Sequence, residues 1–360
     1  MKFSPQDLTY IKRCFELADK GRGFVSPNPF VGTVIVKDGS IISEGWHKNF
    51  GEAHAEVIAV ESSNEEIKGA TLYCNLEPCC HFNKQTPPCV PLIISKEISR
   101  VVISNLDPNP SVKGNGVKQL REAGIRVDTG ILEDEGKEVN KFYFKYVIEK
   151  VPYITIKIAQ SIDGKISTDQ DIQTWLTGED SVKYVHQLRN RYDAVLVGAN
   201  TIKVDDPQLT VREVNGRDPI RIIIDGDLSV SPDSKIIKMT DNEKTWIFTA
   251  ENSHQEKIEQ FEKLGIKIFQ LPADKKKLDL GDILKELGKE SITSLLVEGG
   301  RQIFSQFISQ KLFDEIVILQ SPKILDKGIS AFETNGINKL KIKETERLGE
   351  DLKIVLVNSR

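Results

Sequence analysis

His54-Ala55-Glu56, then Pro78-Cys79, then Cys89 after the loop from Cys80 to Pro88, is the stretch around which the first half of this chain reads. A histidine, a carboxylate two residues on and two cysteines flanked by prolines make a donor set for catalytic zinc. Three protein ligands leave the fourth tetrahedral position for water, whose pKa the metal brings towards neutrality. His54, Cys79 and Cys89 are the candidate ligands, and Glu56 is left as a group that can carry protons. A closed structural knot needs a fourth ligand and gives Glu56 no purpose. His47 and His81 read as loop hydrogen-bonders or substrate contacts, and Cys14 and Cys74 as core residues.

The chain has 360 residues, long for one domain and natural for two. Each half can bury most of the surface its unfolded chain exposes without disulfides. Five cysteines, three of them between residues 79 and 89, suit a metal in a reducing compartment better than a disulfide framework. A net charge of −4 argues against broad capture of nucleic acid. No apolar run reaches membrane-spanning length, and Met1-Lys2-Phe3-Ser4-Pro5 leads into charged residues rather than a signal-peptide core. A cytoplasmic location is expected.

Ser4-Pro5-Gln6-Asp7 is a helix start, with Leu8, Ile11, Phe15 and Ala18 along one face. Lys37-Asp38-Gly39-Ser40 marks a tight hairpin between Val31–Lys37 and Ile41–Trp46. Ala53–Val60 reads as a helix with His54 in its first turn. At a helix start the divergence of residues two apart relaxes, so His54 can point at a metal while Glu56 overhangs it. Strands at Thr71–Asn75, Arg100–Ser104 and Ile125–Thr129 alternate with helical patterns, giving an α/β layered domain with a partly parallel sheet. Glu133–Glu149 reads as a helical connector that Pro152 stops. Beyond it, Tyr153–Ala159, Ala194–Val197, Ile220–Asp225, Thr245–Thr249, Ile266–Gln270, Ser294–Glu298, Glu315–Leu319 and Leu352–Val357 are strand-like, so the second half is α/β as well. Gly299-Gly300 closes a strand ahead of a helical run, a turn that lets backbone N–H groups approach a phosphate, but it is not the G-x-G-x-x-G fingerprint.

His-x-Glu followed by Pro-Cys is the opening of the zinc nucleobase deaminase signature. Around it, Ser26-Pro27-Asn28-Pro29-Phe30-Val31-Gly32, Glu44-Gly45-Trp46-His47, Leu76-Glu77-Pro78-Cys79, Thr86-Pro87-Pro88-Cys89 and Asp107-Pro108-Asn109-Pro110 resemble the riboflavin-biosynthesis deaminase–reductases. The second half is similar to their partner domain at Lys157 to Lys165, Trp175-Leu176-Thr177-Gly178, Leu188-Arg189, Asp193 to Arg212 and Glu298-Gly299-Gly300. The resemblance implies a cytidine-deaminase-like three-layer domain over residues 1–148 and a dihydrofolate-reductase-like α/β domain over 149–360. It implies zinc-dependent deamination of a phosphoribosylamino diaminopyrimidinone, then NADPH-dependent reduction of the ribosyl chain to ribityl. His54, Cys79 and Cys89 would hold Zn2+, and Glu56 would be the catalytic shuttle. Ala159, Trp175, Thr201, Asp205 and the run Gly300, Arg301, Gln302, Ile303, Phe304, Ser305 and Gln306 align with nucleotide-binding positions. Asn28, Gln173, Arg189, Leu209, Arg212 and Glu298 align with substrate-binding positions, and Lys157 and Asp205 with polar groups near the hydride acceptor. The implied partner is a small phosphorylated pyrimidine, with neither nucleic acid nor membrane, and the implied assembly is a homo-oligomer.

Two departures stand out. The loop from Cys79 to Thr86 carries one residue more than the family pattern and lacks its glycine, which makes Cys80 a competitor of Cys79. Pro78-Cys79 keeps the family frame, so Cys79 is the expected ligand. Gln173 stands where the family commonly has serine. Arg189 and Arg212 are expected to clamp the substrate phosphate. Competing readings are a nucleic-acid deaminase with an accessory domain, against which the acidic balance weighs, and a zinc-stabilised binding module without catalysis.

Overall fold

The computed structural model describes residues 3–82, 86–169, 171–333 and 339–358. The chain forms two compact units, Met1–Lys150 and Val151–Arg360.

In the first unit, α1 (Pro5–Asp19) begins at a reciprocal cap: Ser4 Oγ accepts from Asp7 N–H at 3.1 Å and Asp7 Oδ2 from Ser4 N–H at 2.9 Å. Its buried face is Ile11, Cys14, Leu17 and Ala18, whereas Leu8, expected inside, is exposed. β1 (Gly32–Lys37) and β2 (Ser40–Trp46) form the expected hairpin, with Asp38 (φ 50°) and Gly39 (φ 80°) both left-handed, as a two-residue turn matched to strand twist requires. There follow α2 (Ala55–Glu61), β3 (Thr71–Leu76), α3 (Cys89–Ser95), β4 (Arg100–Asn105), α4 (Asn115–Glu122) and β5 (Arg126–Thr129). The sheet runs β2-β1-β3-β4-β5, antiparallel on both sides of β1 and parallel from β3 to β5. Alternation sends Val34, Val36, Tyr73 and Val102 onto the Ile11 and Leu17 side of α1. It sends Ile35, Leu72, Cys74, Val101 and Ile103 onto Ala59, Ile93 and Leu120 of the opposite layer, so the unit has three layers.

The expected single helix over 133–149 is two, α5 (Glu133–Val139) and α6 (Lys141–Glu149). The break falls at Asn140, which is fully buried. Its Oδ1 accepts from Phe30 N–H at 2.7 Å and its Nδ2 donates to Phe30 O at 2.9 Å. Asn75 adds a bond to the same carbonyl at 2.9 Å and accepts from Gly32 N–H at 2.8 Å. Two buried amides thus fix the strand that leaves Asn28.

In the second unit, β6 (Tyr153–Ser161), β7 (Lys165–Ser167), α7 (Glu179–Arg191), β8 (Ala194–Gly198), α8 (Ala199–Asp205), β9 (Ile220–Ile224), β10 (Thr245–Ala250), α9 (Gln255–Lys263) and β11 (Lys267–Leu271) come first. After the short pair β12 (Ala273–Asp274) and β13 (Lys277–Leu278) come α10 (Leu280–Lys289), β14 (Ser294–Val297), α11 (Arg301–Ser309), β15 (Glu315–Ser321), β16 (Ile329–Ser330), β17 (Leu340–Leu348) and β18 (Asp351–Asn358). The main sheet is β11-β10-β9-β8-β14-β6-β15-β18-β17, parallel as far as β15 and closed by an antiparallel hairpin. Ile154, Ile156, Leu196, Phe248 and Val297 pack on Ile283, Leu287, Phe304 and Phe307 of α10 and α11. Val317, Leu319 and Val355 pack on Val185 of α7. β17 was not anticipated: its Lys and Glu side chains are exposed along an edge, where charge blocks further strand pairing.

Replacing Asn140 with Ala should leave the buried Phe30 N–H unpaired and destabilise the first unit by about 1–3 kcal/mol. Urea unfolding followed in that unit checks this, and an unshifted midpoint would rule out the clamp.

Candidate active sites

His54 is the residue before α2, extended at φ −71° and ψ 160°, and not inside the first turn as the sequence suggested. Its imidazole therefore leaves the helix axis while Glu56, in that first turn, lies buried beside it. Cys79 follows the end of β3, and Cys89 is the first residue of α3. Cys89 N–H donates to Cys79 O at 3.0 Å, which closes the long loop on itself. His54 Nδ1 lies 3.4 Å from each sulfur, and the three donor atoms lie within 4.8 Å of one another. A tetrahedral zinc bound at about 2.3 Å from sulfur and about 2.0 Å from nitrogen sets that N···S separation near 3.5 Å, so the donors fit the ion.

With Nδ1 facing the sulfurs, His54 Nε2 is left to donate to Thr86 Oγ1 at 3.0 Å, the outer partner that orients a metal-binding imidazole. Cys80 turns the other way into the core, with its sulfur 3.9 Å from Ser111 O. The centre of the expanded loop, 83–85, lies outside the described residues. Burial pushes the Glu56 carboxyl up, as does the Cys79 sulfur, while His54 opposes. His47 is buried 5.5 Å from the His54 ring. Its Nδ1 donates to Ala53 O at 3.1 Å, so its Nε2 accepts from Asn28 Nδ2 at 3.0 Å and fixes that amide's orientation. Thr86 and His47 were legible only as motif neighbours, since their partners are set by the fold.

In the second unit the candidates gather at the carboxyl ends of parallel strands, where such sheets bind ligands. Val297 pairs with Ile156, which puts Glu298 beside Lys157. Glu298 is 6% exposed at its side chain; Lys157 Nζ lies 3.3 Å from Oε2. Arg189 donates to its two oxygens at 2.6 and 2.9 Å and to Thr210 O at 3.1 Å. The Arg189 fork, expected to face a substrate phosphate, is engaged here by Glu298. Burial alone would raise the Glu298 carboxyl, but Arg189 and Lys157 together bring it down to about 2. Burial raises Asp205, and Lys157 pulls against that rise. Arg212 is exposed, its guanidinium on Gln208 and its N–H donating to His186 Nδ1 at 2.9 Å. Leu209 is buried at φ 56°, a left-handed conformation unusual for a branched side chain.

Gly300 caps α11 at φ 71° and ψ 149°, and a Cβ there would stand 3.2 Å from Thr201 Oγ1. At Gly299 a Cβ would meet Val197 Cα at 2.5 Å. The glycine pair thus lets the start of α11 lie against β8 and α8, with Thr201 at the turn. Arg301, Gln302, Ser305 and Gln306 follow on α11, whereas Ile303 and Phe304 bury their side chains in the core and offer a ligand only backbone. Ala159 is half-buried on β6, while Gln173 and Trp175 stand exposed ahead of α7, Trp175 at 72%.

Hydrolysis at a ring amino group in one unit and hydride transfer in the other is the pairing these two folds define: a bifunctional deaminase and reductase. Residues 4–105 match the cytidine and deoxycytidylate deaminase zinc-binding region, and residues 152–354 match the RibD C-terminal domain. The riboflavin biosynthesis protein RibD of Aquifex aeolicus is 43% identical over 355 residues, covering 97% of each chain. RibD of Acinetobacter baumannii superposes with a TM-score of 0.90 at 31% identity over 99% of both chains. A diaminohydroxyphosphoribosylaminopyrimidine deaminase/5-amino-6-(5-phosphoribosylamino)uracil reductase of Thermotoga maritima gives 0.87 at 38% identity, over 98% of this chain and 99% of that one. The chain belongs to the RibD family of riboflavin biosynthesis proteins.

Cys79→Ser should lose bound metal and Cys80→Ser should keep it; metal analysis giving the reverse would move the ligand to Cys80. Arg189→Met should break the buried pair with Glu298, leaving Lys157 as its remaining cation, and destabilise the second unit by about 3–5 kcal/mol. Arg212→Met should leave stability alone and raise the reductase KM about 10- to 100-fold, the scale of a hydrogen bond to a charged group. Thermal unfolding beside steady-state kinetics separates the two, and equal Tm values for both variants would refute this division.

Proposed function

We propose that residues 1–148 hydrolyse the 2-amino group of 2,5-diamino-6-(5-phosphoribosylamino)pyrimidin-4(3H)-one. The product, 5-amino-6-(5-phosphoribosylamino)uracil, is then reduced with NADPH to 5-amino-6-(5-phosphoribitylamino)uracil by residues 149–360. The observation that carries the first step is the pair of equal 3.4 Å distances from His54 Nδ1 to Cys79 and Cys89 Sγ, with Glu56 buried alongside. The activities for which the Thermotoga maritima relative is named support the substrate.

His54, Cys79 and Cys89 would hold Zn2+, which supplies an activated water when bound. Glu56 takes the proton that water gives up as its oxygen bonds the ring carbon, and returns it to the nitrogen as the C–N bond breaks and ammonia leaves. Asn28, its amide oriented by His47, reads the pyrimidine edge. In the second unit the glycine turn, Thr201 and Trp175 receive the nucleotide. Glu298, kept ionised by Arg189, holds Lys157 at the hydride acceptor beside Asp205. Arg212, an exposed cation beside the buried Leu209, receives the substrate phosphate.

Incubation with the diamino ribotide and NADPH, following ammonia and nicotinamide absorbance together, tests both steps. Glu56→Gln should retain zinc yet lose about 10²–10⁴-fold in ammonia release, because an amide keeps the shape but carries no proton. Its NADPH oxidation on pre-deaminated substrate should match the parent chain. Ammonia release at the parent rate would remove Glu56 from the proton path.

A further inference from the structure

Glu77 stands between the end of β3 and Cys79 and is 3% exposed. Among the described residues no lysine or arginine pairs with it. Its carboxylate is instead held by backbone N–H groups: Oε2 accepts from Asp107 at 3.2 Å and Gly114 at 3.0 Å, and Oε1 from Val117 at 3.0 Å. Gly114 is the cap residue of α4 and offers no side chain, so the first turn of α4 lacks a cap of its own. Glu77 supplies it from another element, in the geometry that favours an anion at a helix start.

The same turn is gripped twice more. Glu77 N–H donates to Asn105 O at 2.9 Å, at the end of β4. Gly116 in α4 sits so close that a Cβ there would stand 2.4 Å from Pro78 O. The segment Glu77-Pro78 is therefore wedged between β4 and α4, and Cys79 follows it directly.

The geometry points to Glu77 as a positioning residue of the deaminase site: by capping α4 from outside, it fixes the turn that aims Cys79 Sγ at His54 Nδ1. This rests on reading His54, Cys79 and Cys89 as zinc ligands. Glu77 touches neither substrate nor metal and acts only through the backbone of Pro78-Cys79.

The test is zinc release from the full-length, zinc-loaded chain into a colorimetric chelator, with deaminase kcat beside it and reductase turnover as a check on folding. Glu77→Gln keeps the volume but turns an NH₂ towards a backbone N–H. It should release zinc about 10- to 100-fold faster, the usual scale for losing an outer partner of a metal ligand. Ser4→Ala removes a cap from α1 in the same unit, far in sequence from the ligands, and should release zinc at the parent rate. Gly116→Ala presses on Pro78 O without changing charge, and should also speed release, so the proposal stays testable if Glu77→Gln does not fold. Release from Glu77→Gln no faster than from Ser4→Ala would make Glu77 an ordinary cap and overturn the proposal, as would an unchanged Gly116→Ala. A parent chain that takes up no zinc would overturn the metal reading along with it.

Discussion

Three donor atoms within 4.8 Å of one another come from the residue before α2, the turn after β3 and the first residue of α3. None of these positions can meet another unless β3 lies between β1 and β4, and unless α2 and α3 pack on the same face of the sheet. The core of that face, Ala59 against Ile93 and both against Leu72 and Cys74, is what sets the distances. The hydrogen bond from Cys89 N–H to Cys79 O then makes the intervening loop a closed excursion. Thr86, near the far end of that loop, reaches His54 at 3.0 Å. The catalytic geometry is in this sense a property of the layer packing, with the loop free to vary.

The same division runs through what the amino-acid sequence discloses. Asp38-Gly39, the Ser4–Asp7 cap and the His54-x-Glu56 spacing are local, and local chemistry decides them, so the hairpin, the helix start and the donor set were legible. Which face of α1 is buried depends on where the sheet lies, and Leu17 rather than Leu8 meets Tyr73 and Val102 there. The break at Asn140 was invisible because its partner is Phe30, 110 residues away. Nothing in the charged run 340–348 announced a strand, because an edge strand needs no apolar alternation. Sequence proximity to a motif also misdirects: Ile303 and Phe304 sit in the aligned nucleotide segment, yet their side chains belong to the core.

Arginine 189 shows the cost of reading one side chain at a time. A guanidinium near a phosphorylated substrate is a natural clamp, and residue type alone cannot tell it from a buried counter-ion. The partner that decides, Glu298, is 109 residues away. Once both oxygens of Glu298 are taken by Arg189, the carboxylate cannot leave to serve another donor without stranding a charge in the interior. Lys157, 3.3 Å from the same carboxylate, is fixed with it. The arginine then shapes the site by holding its holder, Glu298, while Arg212 stays exposed.

Three buried glutamates make the underlying rule plain. Glu298 faces two cations and is held down to about 2, so it stays an anion and serves as an anchor. Glu77 faces three backbone N–H groups, which tie it to a helix start. Glu56 has neither arrangement: burial and a neighbouring sulfur push its carboxyl up. A group that must take a proton and give it back within one turnover needs a modest cost of ionisation, which an anchored carboxylate lacks. The two cations that fix Glu298 therefore disqualify it as a proton carrier, and the burial of Glu56 suits it to the proton-carrying role proposed for it.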